Sequence, residues 1–489
     1  MSRPLRWYDL ITINIFFLAL TTLSQTNGLV FPLLVQNFVG EATKGARLGE
    51  LRLWSLMVAL LWQALMGMLS DRNTSHLGRR RPFILIGSLA MTVFIALTGV
   101  AAGMTGMAGF WFLFAIAVLQ AVAANTAHGA QQGLIPDLVP DEQRGRFSAV
   151  KAVLEVPLPL ILVSFTIARF ISAGNLWLAL ALAAAVLLVS MGITMLAPER
   201  PLPKEEAPPL DWAPILRLVA MAAVFTAIIL GLGAAVRLLG DPLAAITAPA
   251  LLLPIAGLTG VLAIIIAVAV GVWISVRISI GNRAAQDNPS FTWWVVNRLA
   301  FFVGTTNLST FAIYFLQARL GLEREKAAGP AALLMTVIGV FILLAAVPSG
   351  FLGDRFGHKR LVLISGLVAA LGVVVVLLSP GMNVIYAGGS LIGIATGFFF
   401  TANWALGTRI VPQAEAGRYL GISNLAGAGA GAVGAYIGGP IADYVTARLP
   451  ELPGAGYVLL FAIYGVMFLV SVVALRGVTA PERGATRLI

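Results

Sequence analysis

Amide, hydroxyl and indole side chains recur inside long apolar stretches of this 489-residue chain, where each is costly unless it meets a partner. The first stretch carries Gln25 and Asn27. A later one carries Gln120 and Asn125 with His128, Gln131 and Gln132, and at about 100° per residue all five share one helix face. Towards the other end come Arg298, Thr305, Thr306 and Asn307, then Thr401, Asn403 and Trp404. Amides donate and accept hydrogen bonds, and an indole offers a flat apolar face. The set therefore suits reversible capture of a neutral, hydroxyl-rich solute rather than bond-making. Hydrogen bonding between helices is the other use of such groups, and both uses stay open here. The expected substrate-contacting residues are Gln25, Asn27, Gln120, Asn125, Arg298, Thr305, Asn307, Asn403 and Trp404.

Glu155 is read as the acid set within an apolar run, a proton site or the partner of a loop arginine. The chain has no cysteine, and its three histidines are scattered at His76, His128 and His358. A catalytic thiol or zinc ribbon is excluded, no nucleophile motif or metal-ligand cluster is present, and neither an enzyme nor a cofactor is expected. The run from Gly427 to Gly434 reads as close helix packing rather than a phosphate cradle.

These side chains need elements that hold them in an apolar medium. The chain is 59% hydrophobic and 11% charged, too little polar surface for a water-soluble domain of this size. Apolar runs of about 20 residues predict an all-α polytopic membrane protein, with the lipid bilayer as its first partner. Six spans are expected in residues 1–197 and six in 291–489. Two more, near 218–236 and 250–276, lie in the central segment 198–290 behind a polar, Pro-rich linker. The total is 14 transmembrane helices: two six-helix bundles and an even-numbered insertion. Placing the N-terminus in the cytoplasm puts most of the 32 Lys and Arg residues in inward loops, with both termini inward. That asymmetry also explains the net charge of +11 without nucleic acid. The Ala- and Gly-rich, cysteine-free composition fits a plasma or bacterial inner membrane, and a monomer is expected.

The two bundles repeat each other. Gly67, Asp71, Arg72 and Gly78, followed by Arg79, Arg80 and Arg81, recur as Gly350, Asp354, Arg355 and Gly357 with His358, Lys359 and Arg360. Val139-Pro140 before Gly145-Arg146-Phe147 recurs as Val411-Pro412 before Gly417-Arg418-Tyr419. Each copy falls in the same inward loop of its half, so a duplication is inferred, with a solute site where the halves meet. Arg72, Arg79 and Arg80 are placed to pair with Asp137 or Asp141 and latch the inward side; Arg81 reads as a topology anchor. The expected gating set is Gly67, Asp71, Arg72, Gly78, Arg79, Arg80, Asp137, Gly350, Asp354, Arg355 and Arg360.

The duplicated Gly-x-x-x-Asp-Arg…Gly-Arg-Arg loop resembles the signature loop of the major facilitator superfamily. The first copy, Ser70 through Gly78-Arg79-Arg80-Arg81-Pro82-Phe83-Ile84, is similar to that of the sucrose–proton symporters, near the glycoside–pentoside–hexuronide branch. The resemblance implies alternating access by two bundles, with the first and fourth helices of each lining the cavity. It also implies that Asp71 caps the eleventh superfamily span, beginning near Tyr419. Carriage of a sugar or glycoside is the expected function, with protons as a possible second partner. The first and fourth spans lack a core acid, unlike proton symporters, so symport, uniport and export all stay open. Two alternatives share the fold: an efflux carrier for lipophilic compounds and a non-transporting membrane assembly factor.

Overall fold

The computed structural model describes residues 5–199, 201, 203, 212–240, 248–411, 416–452 and 454–479, with no side-chain description for 416–421, 423 and 424. Most spans form where a polar or glycine-rich loop gives way to a largely apolar run, since only a helix satisfies its own backbone in lipid, while α2 and α5 open with charged turns. The first half comprises α1 (Ile15–Val39), α2 (Lys44–Ser70), α3 (Arg81–Ala101), α4 (Gly106–Gln131), α5 (Asp141–Ser172) and α6 (Leu176–Thr194). The central pair is α7 (Ala213–Leu238) and α8 (Pro249–Ile280). The second half comprises α9 (Pro289–Thr310), continued by Ala312–Leu320, then α10 (Ala328–Phe356), α11 (His358–Leu377), α12 (Met382–Ile410), α13 (Ala416–Arg448) and α14 (Ala455–Ala474). Among the described residues 13 helices are long and apolar enough to cross a membrane, and the bent α9 pair makes 14. The expected all-α, 14-span fold is the observed one, and both central runs form full-length helices.

Two irregularities shape the path between the halves. In α5 the helix breaks at Val156, where Pro157 and Pro159 withdraw backbone donors, and a π turn follows at Val163–Ile167. That turn aims the Ser164 hydroxyl at α10, where it meets the Ala332 carbonyl at 2.7 Å and the Thr336 hydroxyl at 2.5 Å. In α9 the axis bends by 61° at Phe311. Just before the bend, Asn307 and Thr310 bond back to carbonyls one turn below, at 2.9 and 3.0 Å, in competition with the helical ladder.

Helix α13 is the hub, packed against α2 of the first half, α9 and α14 of its own half, and both central helices. Its glycine run shows why. A methyl group at Gly429 would strike Phe225 of α7, one at Gly431 would strike Leu56 of α2, and one at Gly434 would strike Asn307 of α9. Three neighbours approach through three missing side chains, as expected of helices that pack without a hydrophobic driving force. The central pair lies mainly on the second half, along α13, α14 and α9.

Candidate functional site

The repeated loops come first in sequence and lie on the face expected to be cytoplasmic, called here the basic face. Gly78 and Gly357 both take positive φ, +109° and +93°, so the glycine in each copy serves a backbone turn that other residues resist. In the first copy Arg80, 5% exposed, is the centre. Its guanidinium donates to Asp137 at 2.9 Å and to the Ser70 hydroxyl at 2.5 Å, and pairs with Asp71. Arg79 also pairs with Asp137. The structure thus joins Asp71, Arg79, Arg80 and Asp137 in one cluster holding three stretches of the first half: the end of α2, the start of α3 and the segment after α4. Asp141 instead pairs with its neighbour Arg144 at 2.5 Å. The Arg81 amide donates to Glu199 at 3.1 Å.

The second copy is built differently. Asp354 faces His358 at 3.5 Å, Lys359 donates to the Val478 carbonyl at 2.6 Å, Arg355 lies over the Phe356 ring, and Arg360 is exposed. Gly67 sits where α2 and α4 approach, whereas Gly350 has open space around it. Asp71, expected to cap α13, pairs with Arg80, and the side chains of the second Val-Pro…Gly-Arg-Tyr copy beyond Val411 lie outside the described residues.

The named polar links between the halves gather on the opposite face, and they went unread in the sequence. The Asp443 carboxylate of α13, 5% exposed, accepts from the Gly45 amide at 2.9 Å and the Ala46 amide at 2.7 Å. These are free N–H groups at the first turn of α2, where a helix favours an anion. The Tyr457 hydroxyl of α14 donates to the same carboxylate at 2.9 Å. Beside it Lys44, nearly buried, donates to Glu41 at 2.6 Å and to Gln317 at 3.3 Å, and lies over the rings of Tyr314 and Tyr457. Burial alone would lift the Glu41 carboxyl, but hydrogen bonds from Lys44 and Gln36 outweigh it and hold the group below its ordinary range. The bent continuation of α9 completes the latch: Tyr314 donates to the Pro32 carbonyl at 2.7 Å, and Gln317 exchanges hydrogen bonds with Gln36. Gly45 and Gly439, with Gly49 and Ala435, let the α2 and α13 backbones touch here. Glu155 reads in the sequence as the acid clearly within a span; Asp443, near the end of α13, is the acid that joins the two halves.

The polar residues of the apolar runs fall into three groups. Asn27 donates to Gln120 at 3.1 Å, which joins the first and fourth helices of the first half. Gln25 is half-buried on α1, while Asn125 bonds back to the Ala121 carbonyl at 2.8 Å. In the second half Arg298 donates to the Asn403 side chain at 3.0 Å, and Asn403 donates to Asn297 at 2.8 Å. The Arg298 guanidinium lies 4.7 Å from the Phe302 ring centre and 5.5 Å from that of Trp404, whose indole is 45% exposed. Asn297, absent from the expected set, also bonds Ser471 of α14 at 2.8 Å. Thr305 is half-buried with only a long 3.5 Å contact to the Phe302 carbonyl. Asn307 is fully buried against α13, donating to the Ala430 carbonyl at 3.0 Å, and so holds two helices together.

Arg52 stands two turns inside α2, which starts at Lys44. There it donates to Thr310 of α9 at 3.1 Å and lines a narrow cavity with Asn27, Gly28, Phe31, Pro32 and Leu48. The cavity lies between the halves and has room for about one water molecule. Glu155 lies 3.6 Å from Lys151, one turn earlier in α5.

Residues 294–488 match the Major Facilitator Superfamily. Two curated relatives match short stretches. The minor myo-inositol transporter IolF of Bacillus subtilis (strain 168) is 34% identical over 90 residues, 18% of this chain and 20% of its own. The sucrose transport protein SUC3 of Arabidopsis thaliana is 31% identical over 117 residues, 19% of this chain and 18% of its own. The chain thus spans about a fifth of the length of the curated relatives it matches. Solved structures match over nearly the whole length. The nucleoside transporter NupG has a TM-score of 0.63 at 12% identity, covering 97% of this chain and 99% of that one. The D-xylose–proton symporter has 0.63 at 18%, covering 96% of each, and the peptide transporter POT in complex with sulfate has 0.60 at 16%, covering 96% and 94%. At such identities the likeness concerns fold: the chain is a multi-span α-helical membrane protein with the fold of these transporters, and its second half carries the stretch that matches the Major Facilitator Superfamily.

Proposed function

We propose that the protein is a secondary transporter that carries a small, hydroxyl-rich solute of the sugar or glycoside class by alternating access between its halves. The observation that carries this reading is the pairing of a latch on one face with amide clusters deeper in the membrane. Asn27–Gln120 stands on the first half and Arg298–Asn403–Asn297 on the second. Such groups exchange hydrogen bonds with hydroxyls as readily as with each other, so a solute can replace existing partners at small net cost. The half-exposed Trp404 offers a ring for the apolar face of a sugar. The match of residues 294–488 to the superfamily favours a carrier over an enzyme, and the relatives named for inositol and sucrose support the solute class. The two six-helix units, residues 1–197 and 291–489, are the proposed rocking bodies, with both ends of the chain in the cytoplasm. The basic-face cluster of Asp71, Arg79, Arg80 and Asp137 is proposed as one gate, and the Asp443 latch as the other.

Proton coupling is assigned to Glu155 as the first group to test, because its only named partner is Lys151 on its own helix. The experiment is uptake of radiolabelled sugars, neutral and acidic, into proteoliposomes with and without an inward proton gradient. Saturable uptake of at least one sugar, reduced about tenfold or more by Asn403→Ala, is expected. Accumulation that Glu155→Gln converts to equilibration would make Glu155 the coupling site. Absence of uptake across the whole panel would sink the sugar reading.

A further inference from the structure

Two guanidinium groups stand within the membrane, and neither has a carboxylate partner among the described residues. Arg52, in α2, lines the narrow cavity between the halves and uses one of its five N–H donors on Thr310. Arg298, in α9, uses one donor on Asn403, and its Nε is buried without a partner. The acids of nearby spans are engaged elsewhere: Glu50 with Arg47 at 2.7 Å, Glu155 with Lys151, and Asp443 with the α2 amides and Tyr457. Aromatic rings of Trp294, Phe302 and Trp404 soften the isolation of Arg298 but bring no negative charge. A cation held in a membrane without a counter-charge is expensive, and it also gives the surrounding path a positive potential.

We infer that the transported solute is an organic anion: a hydroxylated molecule carrying a carboxylate or phosphate that serves as the missing counter-charge. This deepens the transport reading above and rests on it. The planar guanidinium fork matches either oxyanion with two parallel hydrogen bonds. Arg298 and the Arg52 contact at Thr310 are 12 residues apart on α9, about 18 Å along the helix, so the arginines form successive stations rather than one clamp. The deeper amides, Asn27, Gln120 and Asn403, are left to hold the hydroxyls.

The test keeps the sugar ring constant and changes only its charge. The full-length protein in proteoliposomes is given radiolabelled methyl glucoside, methyl glucuronide or glucose 6-phosphate. Uptake of one of the two anions at least about tenfold above the neutral glycoside is expected, and the better anion identifies the oxyanion. Arg298→Gln and Arg52→Gln should each abolish that preference, while Arg298→Lys, which keeps the charge and loses the fork, retains part of it. The wild-type comparison stands even if a variant fails to fold. Uptake of methyl glucoside alone, or equal uptake of charged and neutral forms, would overturn the anion inference and leave the transport reading intact. Uptake of none would overturn both.

Discussion

Among single residues, Asp443 concentrates the most consequence. It is a nearly buried carboxylate whose acceptors are taken by two amides of the other half and one tyrosine. An amide in its place keeps the shape but removes the charge that the start of α2 favours, and it turns one acceptor into a donor facing donors. Asp443→Asn should therefore weaken the latch by about 2 kcal/mol, enough to raise the population opened on that face more than tenfold. The chain has no native cysteine, so Leu48→Cys, which is buried in the latched state, reports the change cleanly. Its reaction with a membrane-impermeant maleimide should be at least tenfold faster in the Asp443→Asn background. Unchanged labelling would deny Asp443 a role in closure. The basic-face cluster was legible in the sequence because it is local and repeated: Asp71, Arg79 and Arg80 lie in one short loop, and Asp137 in the next. Asp443 and Arg52 were not, because each draws its meaning from the other half of the molecule. Their distance along the chain from Gly45 and Thr310 hides the contact, and their places near span ends resemble those of solvated anchors.

At the scale of elements, α3 shows how a helix start can be finished from far away. Arg80, the residue preceding α3, offers no side-chain cap. Glu199, beyond the end of α6, supplies one instead, accepting from the Arg80 amide at 2.6 Å and the Arg81 amide at 3.1 Å. Burial raises the Glu199 carboxyl above its ordinary value, and the amides with Arg81 and Arg80 only partly oppose this. A carboxyl raised on folding contributes stability that is complete below its unfolded pKa and is lost as pH rises through the folded one. In detergent, the melting temperature of the wild type should therefore fall relative to Glu199→Gln as pH climbs from about 4 towards neutrality. A wild type that instead gains on Glu199→Gln as pH rises would show that the hydrogen bonds, not burial, dominate. Element existence was readable from apolar length alone, including both central helices. The break in α5, the π turn and the 61° bend in α9 were not, because hydropathy counts apolar residues and is blind to where a backbone bond is replaced.

For the whole molecule, the proposed orientation follows from charge, and it has a direct check. The basic cluster and the Asp443 latch must lie on opposite sides of the membrane. With single cysteines in the cysteine-free chain, Arg355→Cys should label only when the reagent reaches the cytoplasm, and Lys326→Cys should label from outside intact cells. Labelling with the sides reversed would invert the topology and exchange the names of the two gates. The duplication was legible because it repeats a motif in register. What the repeat concealed is asymmetry. The second loop copy lacks the three-stretch cluster of the first, and the central pair burdens one half more than the other.

One partner in the Asp443 latch has no side chain to lose. The donors from α2 are main-chain amides, and every residue type except proline supplies an N–H at positions 45 and 46. Drift of sequence at the head of α2 can crowd that meeting point but cannot remove the groups that make it. Heritable variation in how tightly this face closes is thereby channelled to the other side of the lock, a single aspartate and the tyrosine beside it. Closure can be tuned from one half of the protein while the other half stays a fixed reference.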